Sequence, residues 1–143
     1  MSNESFTLDP RLQADTHGVA TLSLCDVLLM DDDRFPWLIL VPRTPGCAEV
    51  SDLPVADQAR LWHEVAIATA ALRAVVSCDK INLGALGNIV RQLHVHVVAR
   101  REGDAAWPGP VWGSGQAPRR EAPARELLVE RLRAALSNDT VTS

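Results

Sequence analysis

The chain has 143 residues, enough for one domain with a sizeable core, and its 47% hydrophobic and 22% charged content is that of an ordinary globular protein. Its 14 basic and 18 acidic residues leave a net charge of −4. That argues against a non-specific binder of nucleic-acid polymers, whose phosphate contacts need a basic surface, but not against one nucleotide held by local donors. Cys25, Cys47 and Cys78 are widely spaced and form no Cys-x-x-Cys pair, which fits neither a disulfide framework nor a zinc knuckle and points to a reducing cytoplasm. The opening residues 1–6 lack the basic-then-apolar layout of a signal peptide, and no apolar run reaches membrane-spanning length.

In chain order, Asp9 and Pro10 predict a short helix over 8–14, with Asp9 as its N-cap. Residues 18–30 are apolar and β-rich, one bent strand or two. Asp31-Asp32-Asp33 lacks the alternation of a calcium loop and reads as a solvated turn. It leads to a strand from Trp37 to Val41, stopped by Pro42, so 27–30 and 38–41 are expected to be neighbours. After a Pro- and Gly-punctuated loop, Leu61, Val65, Ala68, Leu72 and Val75 recur at helical spacing and predict a long helix over 55–76. A third strand at 80–83 breaks at Gly84 and Gly87.

Residues 91–99 form the most informative stretch. Strand alternation sends Gln92, His94, His96 and Val98 to one face, and Leu93, Val95, Val97 and Ala99 to the other. One face can enter a core while the other carries a row of polar, titratable groups. Beyond Gly103 the composition turns to Trp, Pro and Gly as far as Pro118. A charged helix over 124–136 then carries Leu128, Leu132 and Leu136 on one side, and the last seven residues are polar and expected to fray. The pattern predicts an α+β fold: a meander of antiparallel strands with a long helix between the second and third. Three segments are expected: an N-terminal helical segment (1–18), a central domain (19–113) and a C-terminal helical tail (114–143).

The 92–98 stretch resembles the alternating His-φ-His-φ-His-φ-φ strand of the histidine triad (HIT) family, with Gln92 in the first histidine's place, His94 in the middle and His96 third. Asn82-Leu83-Gly84-Ala85-Leu86-Gly87-Asn88 is similar to that family's glycine-rich approach, and Trp107-Pro108-Gly109-Pro110 to the tail of some members. The resemblance implies an antiparallel sheet of about five strands with helices on one face. It also implies a homodimer and a purine nucleotide or nucleotide conjugate as ligand; no cofactor is expected, and no metal, because the chain has no complete ligand set.

The activity implied is that of a HIT-type phosphoramidase, hydrolase or nucleotidyl transferase working at the α-phosphate. His94 is the expected nucleophile and His96 a donor to a non-bridging oxygen. Gln92 can donate to phosphate but cannot relay a proton. Asn82 is expected to orient phosphate or the leaving group, or simply to close a turn. Asn88 and backbone N–H groups near Gly87 are expected to bind phosphate, Asp31 the ribose hydroxyls, and the Trp107 segment to cover the site. Residues 88–90 contain no hydroxyl, so help for a poor leaving group is in question.

Two other classes compete. A non-catalytic nucleotide-binding or interaction module needs the same face without the chemistry. A zinc-dependent hydrolase would need His94 and His96 plus a third ligand such as His17, His63, an Asp or a Cys, and no His-Glu-x-x-His motif is present. His63 beside Trp62 reads as a surface or packing residue, and His17 as a turn residue.

Overall fold

The computed structural model describes residues 5–141, with side chains to Ser137. The expectations for the first six and last seven residues fall partly outside these limits. Helix α1 (Pro10–Asp15) starts as its sequence predicts: the Asp9 carboxylate accepts the Arg11 N–H at 2.9 Å, and Pro10 occupies the first turn. The β-rich run is two strands, β1 (Thr16–Thr21) and β2 (Cys25–Met30). Strand β3 (Trp37–Pro42) pairs with β2, its terminal Pro42 opposite Cys25. Helix α2 (Val55–Val75), β4 (Lys80–Gly84), β5 (Val95–Arg100) and helix α3 (Ala122–Val141) complete the fold.

The five strands form one sheet, every neighbouring pair antiparallel, in the order β1-β2-β3-β5-β4. This corrects the simple meander. The crossover through α2 carries β4 to the sheet's edge, and β5 returns between β3 and β4. The histidine strand is therefore interior, laddered on both sides.

Helices α2 and α3 cover one face. Their Leu61, Val65, Ala68, Leu72, Leu132 and Leu136 pack on Val27, Leu29, Leu38, Leu40, Val95 and Val97. The expected alternation of 93–99 holds: Leu93, Val95, Val97 and Ala99 lie in this core, while Val98 lies in a second cluster on the other face. That second cluster joins Leu28, Trp37, Ile39 and Val41 to Leu12 of α1, Phe35 and Val111. So α2 and α3 share a face, and α1 lies on the opposite one, the side to which His94 and His96 belong.

Of the acidic turn only Asp33 is solvated, which corrects the reading of 31–33 at its first two carboxylates. Asp31 and Asp32 are buried. Asp31 accepts the Arg119 guanidinium and the Arg120 N–H, each at 2.8 Å, and Asp32 is clasped by Arg34. Burial works against the charge on Asp31, but the Arg120 and Arg119 donors and His17 outweigh it and hold the carboxyl down at about 2. The segment before α3 is thereby strapped across the β2–β3 turn, to which Asp33 adds a backbone bond to Pro118. Among the described residues no helix is long and apolar enough to cross a membrane.

Candidate functional site

His94 immediately precedes β5 and His96 lies within it, 6% and 7% exposed. His96 sits in register between Ile39 of β3 and Gly84 of β4. The two imidazoles meet edge to face, 4.9 Å between centroids.

Their hydrogen bonds define complementary tautomers. Nδ1 of His94 lies 2.7 Å from the Gln92 carbonyl oxygen. A carbonyl only accepts, so Nδ1 carries the proton and Nε2 of the neutral ring is bare. Nδ1 of His96 lies 3.0 Å from Trp37 Nε1. An indole N–H only donates, so Nδ1 accepts and Nε2 of the neutral ring carries the proton. Burial first, and then neighbouring His94, push His96 down from 6.5 to about 3, which keeps it neutral at physiological pH. The pair thus sets a bare nitrogen on one ring beside an N–H donor on the other.

This depression has a sign for stability. Between pH 6.5 and about 3 the unfolded chain takes up a proton at residue 96 that the folded chain refuses, so the fold is progressively destabilised as pH falls through that window. Urea midpoints of wild type and His96→Gln, measured from pH 7 to 4, should show a shallower decline in the variant. Parallel curves would contradict the assignment.

A cavity of about 510 Å³ opens over this face, within the range of small-ligand sites. His94 and His96 line it, with Leu12, Ile39, Val111 and Trp112 as apolar wall and Arg11 and Arg34 as its cations. The Trp112 ring stands edge-on to both His96 and Trp37, at 5.4 and 6.3 Å between centroids. It can do so because residue 84 has no side chain: a Cβ there would lie 2.9 Å from the Trp112 ring. Gly84→Ala should therefore displace Trp112 from His96, costing about 1–3 kcal/mol of stability and weakening ligand binding. Denaturation and ligand titration check this, and an unchanged stability would refute the packing.

Of the residues read from the sequence, His94, His96, Gly87 and Asn88 come together around the cavity. The others have different partners. The Gln92 amide donates to the Thr7 carbonyl and accepts the Asp9 N–H, both at 2.9 Å. Asn82 accepts from Arg100 at 2.9 Å, and Trp107 faces the same guanidinium at 5.6 Å. Arg100 is buried and doubly bonded to Asp104, so Asn82 and Trp107 complete the surroundings of a buried cation. Asp31 is held by the tail, and the carboxylates at the cavity are those of its neighbour Asp32 and of Asp15. Trp37, Trp112, Arg11 and Arg34 belong to the site and were not singled out individually. Trp112 lies in the Trp/Pro segment expected to cover a site, whereas nothing local distinguishes Trp37 from a core residue. Among the described residues no three His, Cys, Asp or Glu side chains group as a metal set, and His63 is exposed on α2.

A five-stranded antiparallel sheet with helices behind it, and two tautomerically paired histidines facing a ligand-sized cavity in front, defines an α+β protein built around an open sheet face. The family model of the HIT domain matches residues 11–103, and the chain belongs to the HIT family. It is similar to a histidine triad protein from Sinorhizobium meliloti 1021, with 50% identity, a TM-score of 0.89, and 91% of this chain and 96% of that one covered. A histidine triad protein from Bradyrhizobium japonicum shares 44% identity, with a TM-score of 0.91 over 93% of this chain and 99% of that one. One from Marinobacter aquaeolei VT8 shares 41%, with a TM-score of 0.91 over 94% and 98%. No curated protein matches the sequence.

Proposed function

We propose that the protein is a nucleotide-binding hydrolase or nucleotidyl transferase that acts at the α-phosphate of a purine nucleotide conjugate through His94. The observation that carries this reading is the tautomer pair: the Gln92 carbonyl leaves Nε2 of His94 as a lone pair, and Trp37 leaves Nε2 of His96 as a donor. In the first step the His94 lone pair forms a bond to phosphorus. The bond to the leaving group breaks with its electron pair, and the leaving group takes up a proton from solvent water. In the second, water or another acceptor attacks the nucleotidyl–imidazole, loses its proton and releases His94. His96 Nε2–H and the backbone N–H groups around Gly87 and Asn88 face the charge that builds on the non-bridging oxygens. The apolar wall of Leu12, Ile39 and Trp112 takes the base.

The test is a panel of purine nucleotides and nucleoside phosphoramidates, assayed for thermal stabilisation and for turnover. Rapid quench with a radiolabelled substrate should trap an acid-labile adduct. Stabilisation without turnover or adduct would leave a non-catalytic binding module in its place.

The same reading includes a homodimer. Trp107, Val111 and Trp112 pack within their own chain. Strand β4, by contrast, forms a sheet edge with Leu83, Leu86 and Ile89 exposed on it and the following loop, the kind of surface a second copy buries. Light scattering at micromolar concentration should give twice the 15.5 kDa chain mass, and a monomer would refute it.

A further inference from the structure

Gln92 does not line the cavity that His94 and His96 share, yet its carbonyl is the one that holds His94. Its carboxamide offers a donor and an acceptor side by side. An extended chain offers the carbonyl of one residue and the N–H of the second residue after it along one edge. Gln92 matches that edge, donating to Thr7 O and accepting Asp9 N–H, both at 2.9 Å. The side chain thus supplies one rung of a β-ladder to a segment that no strand pairs. An imidazole could not do the same, because its two nitrogens point apart.

The tied segment is part of the cavity's construction. Asp9 caps α1, and α1 presents Arg11 and Leu12 to the cavity. Arg11 also donates to the Ile89 carbonyl at 3.0 Å, a second tie between this segment and the loop that leads to His94.

We infer that Gln92 is a positioning residue: its side chain latches residues 7–9 to the entry of β5, and so fixes the carbonyl that keeps Nε2 of His94 bare. One residue then couples the N-terminal segment, one wall of the cavity and the tautomer of the reacting ring. The inference rests on His94 being that ring, but the latch is measurable without any turnover.

Gln92→Met keeps the length of the side chain and removes both bonds. Hydrogen exchange at the Asp9 amide should rise about tenfold, and 15N NMR of labelled histidine should show the Nε2–H tautomer of His94 gaining population over wild type. Turnover should fall about 10- to 100-fold with KM changed much less, because the base and phosphate contacts remain while the attacking nitrogen is misplaced. Gln92→Glu keeps the acceptor for Asp9 and loses the donor to Thr7, so it should fall between the two, and it serves if the Met variant does not fold. Faster Asp9 exchange with an unchanged His94 tautomer would reduce Gln92 to a structural tie and overturn the inference, as would Asp9 exchange unchanged from wild type. If wild type turns over no nucleotide, the proposed function fails, and the tautomer shift alone still decides whether the latch positions His94.

Discussion

Replacing His94 by asparagine is expected to lower turnover of a purine nucleoside phosphoramidate by at least about 10³-fold while leaving nucleotide affinity within about threefold. The amide N–H of asparagine can still reach toward the Gln92 carbonyl, so the entry to β5 keeps its acceptor satisfied. What disappears is the lone pair on Nε2, and with it the covalent step rather than a contact. His96 survives as a phosphate donor because its state is set by Trp37 and by burial, not by residue 94 alone. Steady-state kinetics and equilibrium binding on the same preparation check both halves, and quench-flow should recover no adduct. Turnover within about tenfold of wild type would remove His94 from the nucleophile's role.

The second large effect is on the fold. Glu64 is fully buried on α2 and accepts the Leu24 and Cys25 N–H groups at 2.9 Å each, with Arg60 at 2.8 Å. These bonds tie the β1–β2 turn to the helix layer. Glu64→Ala leaves two backbone donors without their acceptor, leaves the Arg60 guanidinium only its Ser23 bond, and opens a void, a change expected to cost about 3–5 kcal/mol. Domains of this kind are stable by about 5–15 kcal/mol, so the loss is a large share of the whole. Glu64→Gln retains one acceptor oxygen and should lose less. Urea denaturation of the three proteins measures the order, and a loss below about 1 kcal/mol for Glu64→Ala would show that the turn finds other partners.

Glu64 also marks where sequence reading stops. Periodicity correctly placed Leu61, Val65, Ala68 and Leu72 on the buried face of α2, because a helical repeat is local. It gave no sign that a carboxylate on the same helix would be sealed in by backbone donors 39 and 40 residues away. The same division runs through the site. Alternation put His94 and His96 on one face, since the period of a strand needs only its own residues. The partner that sets the tautomer of His96 is 59 residues distant, and those of Gln92 are 83 and 85 residues away. Register between β3 and β5 decides the Trp37–His96 pair, and the packing of the N-terminal segment against the entry of β5 decides those of Gln92. The burial of Asp31 and Asp32 was hidden for a related reason: three adjacent carboxylates look solvent-bound until Arg119, Arg120 and Arg34 are brought to them.

The interior position of β5 separates two kinds of change. His96 lies in the part of the sheet with neighbours on each side, where a shift of register would turn every side chain to the wrong face, and His94 immediately precedes it. Beside Met30, Trp37 and Ile39 of the sheet, the walls around them come from α1, the loop before His94 and the segment carrying Val111 and Trp112, none of which belongs to the sheet. Substitutions in the segment carrying Val111 and Trp112 alter the outline of the cavity without touching the bonds of Gln92, whereas changes in α1 or the loop before His94 reach that ring through them. On the proposed function, an effort to redirect ligand preference should vary the segment carrying Val111 and Trp112 and leave the strand and its tie to residues 7–9 alone.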